Sequence, residues 1–251
     1  AVGSNALDAN TTGTDNTAIG DNALGANTTA NYNTAVGSSS LSLNTTGTQN
    51  TSVGYAALIA STTSDANTAV GYAALNANTA VGSHALDAAT TASENTAMGK
   101  NALGANTTAS YNTAIGSGSM AVNTTGASNT AIGQGSLVAN TTASNNVAVG
   151  YASMGANTTG TNNVAVGSNA LDANSTGDSN TAIGGRALSA NTTADNNVSI
   201  GKDSMYYNTT GAENIAIGVA ALSSNTTASN NVAIGRTALG ANTTGTGNVA
   251  V

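Results

Sequence analysis

The chain has 251 residues and a formal net charge of −7, and only 6% of its residues are charged, against about 25% in a typical soluble domain. Cys, Pro, Trp and Phe are absent, which excludes disulfides and thiolate metal sites. The mild acidity argues against nucleic acid, which needs basic patches. No apolar run approaches the length of about 18 residues needed for a membrane span, and no signal peptide is visible.

Low charge with so much Gly, Ala, Asn, Thr and Ser resembles a low-complexity tract, but the apolar residues are strictly periodic, which a disordered tract does not require. The motif Asn-Thr-Ala-Val/Ile-Gly recurs with its Asn at 16, 33, 50, 67, 78, 95, 112, 129, 146, 163, 180, 197, 214, 231 and 248. Every interval is 17 residues except 67 to 78, which is 11. A fixed period of this size marks a solenoid.

Taking the anchoring Asn as position 1, the unit reads N-T-A-V-G-x-x-A-L-x-A-N-T-T-G-x-x. Positions 2 and 4 share one face of a predicted strand, so Val36, Val53, Val70, Ile115, Ile132, Val149, Val166 and Ile183 are expected as one core column. Position 5 is Gly, as at Gly20, Gly37, Gly54 and Gly71, and suits a corner. A second short strand, bent or bulged, is expected around position 9, with Leu24, Leu58, Leu103, Leu137, Leu171 and Leu188 as a second column. Position 1 is expected to form an amide ladder.

Positions 12–17 are turn-formers. The short unit 67–77 lacks this segment and the register then resumes, which predicts a stacking core of about 11 residues with 12–17 as a removable outward loop. A helical repeat is excluded by the β-branched residues, the internal Gly and the Asn/Thr/Gly runs. The sequence therefore predicts an all-β chain, a single parallel β-solenoid (β-roll) over 1–251 with about fifteen 17-residue coils. Because each coil has few large apolar groups, identical chains are expected to associate side by side. The unit is cut at both ends, so the stretch is expected to be a window on a longer array.

These units resemble two related groups: the head domains of trimeric autotransporter adhesins, and tail-fibre-type proteins of phages and bacteria. The second likeness is the stronger, because it includes Asn44-Thr45-Thr46-Gly47. The resemblance implies a left-handed β-roll, a homotrimer with inward Val/Ile, and an extracellular place on a virion tail or bacterial surface.

Chemistry is sparse. His84 is the one His, and with no Cys neither a metal cluster nor a His-based triad is available. The acids are scattered; Asp8, Asp87 and Asp172 share position 10 but lie far apart along the array. No phosphate loop or calcium-binding nonapeptide occurs. No cofactor, no catalytic residue and no metal site is expected, and the chain is read as a non-enzyme. Asn-Thr-Thr segments such as Asn27-Thr28-Thr29 are formally glycosylation acceptors but read first as polar turns. With Tyr32 and Tyr111 they are the expected surface contacts, for a glycan or receptor. The reading is a structural or adhesive fibre segment, and the alternative is an ice-binding solenoid built on ranks of Thr at positions 13 and 14.

Overall fold

The computed structural model describes residues 1–63, 65, 67–74, 78–86, 88, 89 and 92–251. It contains two compact units, Ala1–Gly118 and Ser119–Val251. Both are parallel β-solenoids of the same coil, and neither has a helix among the described residues. The first holds β1 (Thr17–Ile19), β2 (Thr34–Val36), β3 (Thr51–Val53), β4 (Thr68–Val70), β5 (Thr79–Val81), β6 (Thr96–Met98) and β7 (Thr113–Ile115). The second holds β8 (Thr130–Ile132), β9 (Val147–Val149), β10 (Val164–Val166), β11 (Thr181–Ile183), β12 (Val198–Ile200), β13 (Ile215–Ile217), β14 (Val232–Ile234) and β15 (Val249–Ala250).

Within each unit consecutive strands pair in parallel with equivalent residues opposite, as in Thr34↔Thr51, Ala35↔Ser52 and Val36↔Val53. The short coil keeps this register, since Thr68 pairs with Thr79 across it. Residues 75–77 of that coil and Asp87 lie outside the described residues.

The strand faces are the reverse of the expectation. In β1–β14 the middle residue is buried and its two neighbours are not. The inward residue is the Ala or Ser of position 3, as at Ala35, Ser52 and Ala165. Side chains alternate across a strand, so turning position 3 inward turns positions 2 and 4 outward. Val36, Val53, Ile115, Val149 and Val166 are therefore half-exposed, and Val70, Ile132 and Ile183 are exposed. They form a column, but on the outer face.

The expected second strand is also absent among the described residues. Positions 5–12 are a run of turns in which the N–H groups of positions 8, 10 and 12 donate to carbonyls three residues back: Ala23 to Gly20, Gly25 to Asn22, Asn27 to Leu24. Positive φ at the third residue, as a type II turn demands, is met at position 7 (Asn22, 56°) and position 9 (Leu24, 52°). The intervening N–H groups bond between coils: Leu24 N–H to the Ser40 carbonyl at 3.1 Å, Ala26 N–H to Ser42 at 2.9 Å, Asn22 N–H to Ser4 at 2.8 Å. A ladder thus continues around the coil, and alternate N–H groups face along the chain and along the axis.

Leu in the left-handed region costs roughly 1–2 kcal/mol. Burying a Leu side chain contributes about 1.5–3 kcal/mol, and Leu24, Leu58, Leu103, Leu137, Leu171 and Leu188 are fully buried. Burial outweighs strain, and Met120, Met154 and Met205 fill the same column. Position 5 allows no such exchange. Gly54 has φ of 138°, and a Cβ there would lie 2.2 Å from the Gly71 carbonyl oxygen.

Segment 12–17 is only partly an outward loop. Its Asn is buried and makes a second amide ladder, beside the one at position 1. At position 12, Asn44 Nδ2 donates to Asn27 Oδ1 at 3.2 Å and to the Gly47 carbonyl at 2.9 Å, closing its own loop. At position 1, the Asn50 backbone N–H and Nδ2 both donate to Asn33 Oδ1, at 2.9 and 3.1 Å. The short coil interrupts both ladders. Position 12 is Asn in every full unit except the two flanking the short one, where it is Ser61 and Ala89. An Asn facing a coil that lacks its partner would be a buried, unpaired amide. Ser61 Oγ and Asn67 Oδ1, at this defect, are buried without a hydrogen-bond partner among the described residues.

Candidate functional site

In each unit the strands position an extended surface. None of the fifteen carries a charged residue, and in each unit their outward residues stack at a rung spacing of about 4.8 Å. In the first unit an aliphatic column runs through Ile19 (46% exposed), Val36, Val53, Val70, Val81, Met98 and Ile115, beside a second column that is Thr at every strand. In the second unit the neighbouring column becomes aliphatic too, at Val147, Val164, Val198, Ile215 and Val232. Ile183 and Ile217 there remain 38% and 37% exposed. A long uncharged face of stacked aliphatic side chains is the sort of patch that marks an interaction site.

The expected surface contacts divide. Tyr32 and Tyr111 stand 60% exposed, and Thr29 is exposed. Thr28 is half-buried and its hydroxyl donates to the Thr45 carbonyl at 3.2 Å. Asn27 is wholly buried, donating to Asn10 Oδ1 at 2.9 Å, which corrects its placement among the surface contacts. Both amide hydrogens face partners inside the wall, so a sugar on that nitrogen would break the ladder. The corner glycines Gly20, Gly37 and Gly71 have φ of 134°, 133° and 137°.

Elsewhere side chains serve the scaffold. His84 Nδ1 meets the Ser83 hydroxyl at 2.8 Å, and its ring lies tilted to Tyr72, which stacks on Tyr55 with centroids 5.3 Å apart. Asp178 and Asp195 accept backbone N–H groups from Thr161 and Asp178, at 2.6 and 2.7 Å. Among the described residues no three His, Cys, Asp or Glu side chains gather to hold a metal ion, and no helix is long and apolar enough to cross a membrane.

The fold defines the class, a tandem-repeat parallel β-solenoid. The chain matches no protein-family model, no curated protein and no solved structure.

Proposed function

We propose that this chain is a non-catalytic segment of an extracellular fibre, on a virion tail or bacterial surface, and that its outward strand face is where identical chains meet, three to an assembly. One observation carries the reading: each unit presents a continuous uncharged aliphatic column that its own fold does not cover. Removing such a column from water supplies what a narrow coil of small residues does not, since hydrophobic burial contributes about 25 cal/mol per Å². The inward Ala or Ser of position 3 is consistent with this, because each strand turns its smallest residue inside and its larger aliphatic one outside. Light scattering tests it directly. A mass near three times 23.9 kDa is expected; a monomer at micromolar concentration would remove the association and with it the main support for the fibre.

A second reading, ice binding, is favoured by the seven stacked outward Thr residues of β1–β7 beside their aliphatic column. The ranks at positions 13 and 14 support it less, because the position-13 hydroxyl is spent on the next coil's carbonyl, as at Thr45 to Thr62. Both readings claim the same face. Thermal hysteresis of the purified chain decides the second, and its absence removes it.

A further inference from the structure

The second unit holds a cluster that its coil does not need. Positions 10 and 11 are filled by small or aliphatic residues in most units, yet one unit has Tyr206 and Tyr207 there. Ser189 and Ala190 stand one coil before them and Ser223 and Ser224 one coil after, so both rings have space beside them. They pack edge-on with centroids 4.6 Å apart, and Tyr207 is 57% exposed. Arg186 lies over the Tyr206 ring, its guanidinium carbon 5.3 Å from the centroid. The same guanidinium grips Asp203 with two contacts, Nε to Oδ1 at 2.8 Å and a terminal nitrogen to Oδ2 at 3.0 Å. That hydrogen bond, and the charge of Asp203, raise the Arg186 pKa above its usual value.

These groups line a cleft of about 350 Å³ whose remaining walls are Ala220 and Ser223. Three adjacent coils hold it in place: Asp203 N–H donates to the Gly185 carbonyl, Tyr207 N–H to Ser223, and Ala190 N–H to Tyr206, each at 3.1 Å. The local charge is also unusual. Of the chain's four Lys and Arg residues, Arg186, Lys202 and Arg236 fall at positions 6 and 7 within four successive units, where Asp203 is the one acid. Arg186 is paired with Asp203, which leaves Lys202 and Arg236 as the excess positive charge at these positions on a chain of net charge −7. The cleft is on the turn segment, away from the strand face that the assembly would use.

We propose that this cleft binds an acidic oligosaccharide of the uronate type, with the exposed Tyr207 ring against the apolar face of one sugar, Ser223 and the Tyr hydroxyls hydrogen-bonded to its hydroxyl groups, and Lys202 facing a carboxylate. It rests on the attachment reading above and names what would be attached to. Aromatic faces and a few fixed polar groups are what a preorganised sugar site requires, and the excess of cations selects the charged over the neutral sugar.

The test is titration of the full chain with a galacturonate hexamer and, separately, a glucose hexamer. The acidic hexamer is expected to bind at least about tenfold more tightly, and to weaken as salt rises. Tyr207→Ala is expected to lower its affinity about tenfold, and Lys202→Gln to lower it and flatten the salt dependence. Tyr151→Ala, which removes an exposed ring elsewhere in the unit, leaves binding unchanged. In the wild-type chain the hexamer shifts the ring resonances of Tyr206 and Tyr207, a readout that needs no variant to fold. Absent binding, equal affinity for the two hexamers, or shifts confined to other tyrosines overturn the proposal. The mass measurement is separate, so a chain that assembles yet ignores the hexamer loses this site and keeps the fibre.

Discussion

At the scale of single residues, two positions tolerate little. Gly54→Ala brings a methyl group to 2.2 Å from a carbonyl oxygen in the next coil, far inside van der Waals contact, and forces a φ that L-residues avoid. Strain of this kind costs about 1–3 kcal/mol before the clash is counted, so the denaturant midpoint should fall by at least that equivalent. Gly185, one residue past its own corner, has nothing near its Cβ direction, and Gly185→Ala is the control that should change the midpoint little. Asn140 is the second case. Its Nδ2 donates to Asn123 Oδ1 at 2.8 Å and to the Ala143 carbonyl at 3.0 Å, while its own Oδ1 accepts from Asn157. Asn140→Ala leaves one hydrogen of the buried Asn157 amide without its acceptor, while the Ala143 carbonyl keeps its bond from Asn129 Nδ2, so the expected loss is about 1–3 kcal/mol. Equilibrium unfolding in urea reads both effects.

At the scale of the element, much of the coil is legible in the sequence. Its period, its corner glycines and its amide ladder at position 1 follow from residue type and spacing alone. The face of the strand did not, because Thr-Ala-Val reads as apolar-out or apolar-in with equal ease when the middle residue is Ala. The signal was present in a different form: position 3 is Ala or Ser in every unit, while position 2 drifts from Thr to Val and Ile. A column confined to the smallest side chains is one squeezed from both sides. The turns at positions 5–12 were hidden for another reason. Leu at positive φ contradicts local preference, and only the continuous stacking of buried Leu overrides it. Leu171→Ala should accordingly cost about 2–5 kcal/mol in a thermal melt, as for other core truncations. The short unit makes a prediction in the opposite direction. Inserting Asn-Thr-Thr-Gly-Thr-Asn after residue 77, together with Ser61→Asn and Ala89→Asn, supplies the missing rung to both ladders, and the melting temperature should rise.

At the scale of the whole molecule, what matters is which side chains the coil leaves over. The outward aliphatic column adds nothing to the interior, so Ile183→Lys with Ile217→Lys should leave the circular-dichroism spectrum of the chain intact while abolishing its association. Sedimentation velocity at several concentrations checks this; a variant pair that sediments like the wild type would place the contact elsewhere. The cluster around Tyr206 is not legible in the repeat, because Tyr206 and Tyr207 are departures from its pattern.

The register that survives the six-residue omission at 67–77 bears on how such a chain changes over generations. Each unit meets only its two neighbours, and it offers both of them the same hydrogen bonds. Duplicating or dropping a whole 17-residue repeat away from the short one therefore leaves every remaining bond intact. Length becomes a trait that selection can adjust in a single step, without a new residue anywhere.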